Sequence, residues 1–261
     1  MSSAGPVRLE REGGLAVVSI DHPPLNLFDQ SVEEALERVL DGLEEQPARA
    51  VLFRAEGRVL SAGVDVGLFE AQPDVQHAID LFNRLLAITR RTEALACPTV
   101  FAAHALCLTW AFELALACDL ILAASSAEFG LVERVIGLTP AMGGTQRLAE
   151  RAGSGRAREL VMTGERYSAQ TLETWNVVNR VLPDEDFDQQ CRAFAGALAQ
   201  GPTLAHTATK RVVQAFREGG VSLADERVAA VAGELFDTED LRGAVRSFLA
   251  EGPGKAAFSG R

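Results

Sequence analysis

Two glutamates stand where an ionised side chain is unfavourable. Glu113 interrupts the otherwise apolar helical run AHALCLTWAFELALACD, residues 103–119, and Glu133 lies among apolar residues in FGLVERVIGLTPAMGGTQRL, residues 129–148. A lone ionised carboxylate in such a place costs several kcal/mol unless it is paired or its pKa rises. Two carboxyl groups in apolar settings suit acid and base work on a weak carbon acid, one accepting a proton while the other delivers one. Taken singly, each also fits a solvated or ion-paired helix residue. A third segment, Arg58-Val59-Leu60-Ser61-Ala62-Gly63-Val64-Asp65-Val66, puts small residues in a loop straight after an apolar strand. There the backbone can approach a ligand and leave an N–H free to donate; alone, the loop also fits a surface turn.

These segments need a frame. Residues 7–20 alternate apolar and polar around Glu12-Gly13-Gly14, which predicts a hairpin. Asp21-His22-Pro23-Pro24 ends it, and Ser31 to Glu44 has helical spacing with a capping box expected between Ser31 and Glu34. Strand-like stretches follow at 50–54, 99–103, 119–124 and 177–182, separated by helical ones at 74–94, 109–117, 131–136, 145–150, 155–162 and 169–175. Strands alternating with helices predict an α/β core with parallel pairing. From Phe187 onward the chain reads as helix, broken at Gly201-Pro202, Gly219-Gly220 and Gly252-Pro253-Gly254. The expected division is a core over residues 1–200 and a helical region over 201–261, packed on the core or on a neighbouring subunit.

The 261 residues allow one large core. With 36 acidic against 25 basic residues the formal net charge is -11, the wrong sign for a chain that neutralises a nucleic-acid backbone. An anionic small molecule is still compatible, since a few cations and helix N-termini suffice to hold phosphate. The opening MSSAGPVRLEREGG has no apolar segment behind a basic leader, and no later run is long enough to span a membrane. The cytoplasm is the expected location. Cys97, Cys107, Cys118 and Cys191 lack metal or redox spacing and are expected to be buried free thiols, so no metal site is expected.

In combination the three segments resemble the crotonase, or enoyl-CoA hydratase/isomerase, family over essentially the whole chain. Leu60 to Val66 is similar to the family's Phe-small-Ala-Gly-x-Asp-aliphatic loop, Glu113 to Asp119 to its Glu-Leu-Ala-x-x-Cys-Asp segment, and Pro140 to Leu148 to its Pro-x-x-Gly-Gly-Thr-Gln-Arg-Leu run. The resemblance implies a crotonase (ClpP-like) spiral of repeated ββα units with a helical C-terminal region. It implies a homotrimer or dimer of trimers, an acyl-CoA thioester substrate, and no cofactor or metal beyond the CoA of that substrate.

Residue by residue, the resemblance assigns the backbone N–H groups of Val64 and Trp110 to an oxyanion hole for an enolate. Removing one such donor typically costs about 3–4 kcal/mol of transition-state stabilisation. Glu113 and Glu133 fall on the glutamates with which family hydratases orient water, add it to the β-carbon and protonate the α-carbon. The implied reaction is hydration of a trans-2-enoyl-CoA, with double-bond isomerisation and silent acyl-CoA binding as alternatives. Ala62, Gly63, Asp65 and Lys255 are assigned to substrate binding; Asp65 also holds its loop, and Lys255 alternatively reads as a solvated tail residue. Trp110 replaces a family glycine, so its ring either turns away or fills part of the acyl pocket. Cys97 and Gly67 stand where many relatives carry lysines, while His22 and His104 read as turn or core histidines.

Overall fold

The predicted hairpin forms in the computed structural model, which describes residues 5–261: β1 (Val7–Glu12) pairs antiparallel with β2 (Leu15–Ile20). Helix α1 (Gln30–Glu45) follows, turning Val32, Leu36, Val39, Leu40 and Leu43 inward at the spacing read from the sequence. Its cap differs from expectation. Asp29, not Ser31, is the N-cap, accepting from the Val32 N–H at 3.0 Å and from the Ser31 hydroxyl at 2.6 Å. Either residue type can cap; Asp29 has the extended backbone a cap requires, whereas Ser31 is already inside the helix.

Strand β3 (Ala50–Ala55) lies parallel to β2, and α2 (Gly67–Glu70) and α3 (Val75–Ala94) lead to β4 (Thr99–Ala103). Then come β5 (Cys107–Leu108), α4 (Trp110–Ala117), β6 (Leu120–Ala124) and β7 (Glu128–Gly130). Helices α5 (Gly144–Ala152) and α6 (Ser154–Thr163), strand β8 (Tyr167–Ser168), α7 (Ala169–Thr174), β9 (Arg180–Leu182) and α8 (Phe187–Gln200) complete the sequence up to Gly201. The main sheet runs β1-β2-β3-β4-β6-β9, parallel after the hairpin. A second sheet, β5-β7-β8, has no signature in the sequence, because strands of two or three residues carry no periodicity. The expected helix at 131–136 is a single 3-10 turn, Glu133–Ile136, closed by Gly137 at a φ of 74°.

Every residue of α4 is buried, as expected of a helix apolar on all sides at the centre of a core. Beyond Gly201 the chain forms α9 (Thr203–Gly233), bent where Gly219 and Gly220 leave helical geometry, and α10 (Glu239–Glu251). The first half of α9 is tied to the core by Lys210, which donates to the Cys97 carbonyl at 3.0 Å and pairs with Asp119 at 2.9 Å. No helix of the described residues is long and apolar enough to cross a membrane.

Candidate active site

Two neighbouring segments run in parallel register through the site. Ser61 bridges Cys107, with the Ser61 N–H donating to the Leu106 carbonyl at 3.0 Å and the Leu108 N–H donating to the Ser61 carbonyl at 3.1 Å. Two residues beyond each bridge position stand Gly63 and Thr109; three beyond stand Val64 and Trp110. The candidate donors therefore occupy matching positions on adjacent segments. On the outer side of the first segment, Phe28 donates to the Gly63 carbonyl at 2.9 Å and its carbonyl accepts from Asp65 at 2.9 Å. In extended chain alternate groups face opposite ways, so this pairing leaves the intervening Val64 N–H pointing away from Phe28. Among the described residues neither the Val64 nor the Trp110 N–H meets a backbone acceptor. Trp110 opens α4, where the N–H groups of the first turn have no intrahelical partner and the helix dipole favours negative charge.

The Trp110 ring points into the core. It is fully buried, packs on Phe28 with centroids 5.3 Å apart, and donates through Nε1 to Ser61 Oγ at 2.7 Å. Ser61 Oγ also accepts from the Gly63 N–H at 3.0 Å and donates to the Asn26 carbonyl at 2.7 Å. One hydroxyl thus fastens the Val64 loop to the residue that supplies the second donor. Ser61→Ala orphans two buried N–H groups, each costing about 1–3 kcal/mol, and releases the loop. Thermal melting should show a lower Tm, and steady-state kinetics a kcat about tenfold lower with KM little changed.

Asn26 and Ser61 are contributors that sequence reasoning missed. The Asn26 amide donates to the carbonyls of Glu56, Val59 and Leu60 at 2.9, 3.1 and 3.1 Å, shaping the loop ahead of Val64. A polar residue between Leu25 and Leu27 just after Pro23-Pro24 was the available signal. Asp65 holds its loop, accepting from the Gly67 N–H through Oδ1 at 2.9 Å, and the Ala62 N–H donates to the Leu25 carbonyl at 3.0 Å. Lys255 is not brought to this cluster. It is exposed, with no hydrogen bond or ion pair to these residues among the described ones; further along the tail, the Ser259 and Gly260 N–H groups donate to Asp240, and Gly260 lies beside Arg49, just before β3.

Glu113 sits one helical turn past Trp110, on the same face. Its Oε2 accepts from the Met142 N–H at 2.9 Å and the Gly144 N–H at 2.7 Å. Gly144 is required there: a Cβ at this position would lie 2.7 Å from Glu113 Cγ. The loop carrying these donors is itself held, because Thr89 donates to the Met142 carbonyl and Arg147 pairs with Glu93 at 2.9 Å. Glu133 arrives through β7, which pairs with β5 and whose Gly130 carbonyl accepts from Thr109 at 2.9 Å. It is buried, and neither of its carboxyl oxygens has a hydrogen-bond partner among the described residues.

Burial raises both carboxyl pKa values, Glu133 to about 7 and Glu113 to about 8, the latter also through the nearby Glu133 charge and against the two backbone N–H groups. Below the ordinary carboxyl value of 4.5 both groups are protonated in the folded and the unfolded chain, so they contribute nothing to pH dependence. As pH rises from there through 7 and 8 the unfolded chain releases protons that the folded one retains, and stability falls. Glu133→Gln, which removes the ionisation, should melt close to wild type at pH 5 and on the order of 5 °C higher at pH 9. Equal Tm values at pH 9 would show that Glu133 is not held against ionisation.

The spiral α/β fold, over nearly the full length of the chain, is that of a known family of enzymes. The chain belongs to the enoyl-CoA hydratase/isomerase family, whose model matches residues 10–259. It is 29% identical to a probable enoyl-CoA hydratase of Bacillus subtilis over 241 residues, covering 90% of this chain and 92% of that one. It is 31% identical over 212 residues to the mitochondrial Delta(3,5)-Delta(2,4)-dienoyl-CoA isomerase of Dictyostelium discoideum, covering 77% and 72%. The crystal structure of an enoyl-CoA hydratase subunit from Geobacillus kaustophilus superposes with a TM-score of 0.89 at 31% identity, covering 98% of each chain. The protein is an enzyme of this family with the crotonase fold.

Proposed function

We propose that this enzyme hydrates a trans-2-enoyl-CoA. The thioester oxygen lies between the Val64 and Trp110 N–H groups, which favour the enolate oxyanion over the neutral carbonyl. One glutamate takes a proton from water as its oxygen bonds to the β-carbon; the other gives a proton to the α-carbon as the enolate collapses. The pair carries out this exchange near neutral pH because both groups titrate close to it, Glu133 at about 7 and Glu113 at about 8. The observation that carries the reading is this pair of buried, raised carboxyl groups on the two segments joined at Thr109 and Gly130.

A second reading, double-bond isomerisation, has an observation in its favour. Glu113 is locked by two backbone N–H groups while Glu133 has no protein partner among the described residues, which leaves Glu133 free to carry a proton between two carbons of one substrate. A third reading, silent acyl-CoA binding, rests on the family glycines missing around Trp110; the indole itself packs on Phe28, and turnover of crotonyl-CoA separates this reading from the other two. The reading includes no cofactor or metal, a cytoplasmic location, and assembly as a homotrimer or dimer of trimers. Exposed Phe216, Phe236, Phe248 and Leu249 beyond Gly201 support self-association, and Lys255 then reaches CoA from a neighbouring subunit.

Loss of the enoyl absorbance of crotonyl-CoA tests the reading. Hydration that disappears in Glu113→Gln and in Glu133→Gln supports it, isomerisation of a 3-enoyl-CoA without water addition supports the second reading, and hydration unchanged in both variants contradicts the roles given to the glutamates.

A further inference from the structure

Thr109 adopts φ 49° and ψ −118°, a backbone conformation that a β-branched residue rarely takes. At this ψ the Cβ of Thr109 eclipses the Trp110 nitrogen, and in a trans peptide the Trp110 hydrogen points back toward the Thr109 Cα. The side chain of Thr109 therefore stands alongside the Trp110 N–H, and an acceptor of that N–H comes to rest next to it. Its other neighbour is the first donor's loop: Oγ1 lies 3.4 Å from where a Gly63 Cβ would be, the residue immediately before Val64. The hydroxyl is thus set between the residues that precede the two donors.

Thr109 is only 6% exposed, and Oγ1 is buried with no hydrogen-bond partner among the described residues. It does not cap α4, which has no side-chain cap. A buried hydroxyl without a partner is unfavourable, and a strained backbone holding it in place adds to that. Glycine or alanine at this position would avoid the orphaned oxygen. The same oxygen finds a partner once a thioester occupies the two N–H groups, because the substrate oxygen then sits beside it.

We propose that the Thr109 hydroxyl is a third donor to the thioester oxygen, adding a side-chain hydrogen bond to the two from the backbone. This rests on the acyl-CoA reading of the site. The hydroxyl bond strengthens as negative charge develops on the oxygen, so it acts on kcat more than on binding. It also polarises the carbonyl of a bound substrate that cannot react.

The test compares Thr109→Val, Thr109→Ser and Thr109→Gly with wild type, using crotonyl-CoA hydration and the infrared carbonyl band of bound butyryl-CoA labelled with carbon-13 at the thioester carbon. Valine keeps the β-branch and removes the donor; serine keeps the donor. The expected result is a kcat about tenfold or more lower in Thr109→Val with KM within about threefold, near-wild-type turnover in Thr109→Ser, and a carbonyl band in Thr109→Val displaced part of the way toward free butyryl-CoA. Thr109→Gly, which adopts this φ without strain, separates loss of the donor from backbone strain and should share the kcat loss. A carbonyl band and kcat unchanged in Thr109→Val, or a Thr109→Gly enzyme faster than wild type, overturns the proposal and leaves the acyl-CoA reading intact. Wild-type protein that neither shifts the band nor hydrates crotonyl-CoA removes that reading and this proposal with it.

Discussion

Glu133→Gln should lower kcat for crotonyl-CoA hydration by about 10³-fold while leaving acyl-CoA binding within a few-fold of wild type. General acid or base action by a positioned side chain contributes typically 10²–10⁴-fold, and Glu133 has the features that place it high in that range. It is buried, raised to about 7, and has both carboxyl oxygens free of hydrogen-bond partners among the described residues, so no hydrogen bond of the fold is lost with its charge. Glutamine matches its shape and cannot exchange a proton. Glu113→Gln should lose a similar factor, and here the control is internal: the glutamine carbonyl oxygen can still accept from the Met142 and Gly144 N–H groups, so the loop that covers it remains in place. The double variant should be little worse than either single one, because two groups that serve one proton circuit are not additive. Substrate depletion kinetics at saturating crotonyl-CoA measure all three. A loss in only one of the single variants would contradict the shared proton circuit and leave one glutamate to carry the exchange alone.

Trp110→Gly should destabilise the protein by about 3–5 kcal/mol. The indole is fully buried against Phe28 and its Nε1 donates to Ser61 Oγ, so glycine leaves a large cavity and weakens the link between the two donor segments. For a chain of this length the shift in Tm should be about 10 °C or more by calorimetry. Trp110→Phe, which keeps most of the volume and loses the hydrogen bond, should fall between. A Trp110→Gly protein melting within about 2 °C of wild type would mean that the ring is not a structural post of the site. The second donor is built around a core aromatic, and the turn that leads into it is made by Thr109 at a positive φ that glycine adopts freely.

Much of the frame was readable because it rests on long-range repetition. The hairpin, α1 and α3 carry the spacing of their element, and the parallel strands 50–55, 99–103 and 120–124 stand out as short apolar runs alternating with helical stretches. Glu113 and Glu133 stood out because charge inside apolar runs demands a reason, and their burial supplies it. Features set by register or by single contacts were not readable. The β5-β7-β8 sheet, which brings Glu133 beside α4, consists of strands too short to show alternation. Asp29 and Ser31 are equally good caps by type, and only the entry geometry of α1 chose between them. Whether Trp110 turned inward or into a pocket depended on its finding Ser61 and Phe28, residues 49 and 82 positions away in the chain. Lys255 carried no local signal, and only the contacts of Ser259 and Gly260 with Asp240 and beside Arg49 fix its tail.

The central claim is that the two N–H groups stabilise the enolate of a CoA thioester while a buried glutamate moves the α-proton. Incubating the enzyme with butyryl-CoA in deuterium oxide and following the acyl mass isolates that step from water addition. The account predicts enzyme-dependent incorporation of deuterium at the α-carbon, lost when both glutamates are replaced by glutamine. Butyryl-CoA that binds the wild-type enzyme yet gains no deuterium would contradict it.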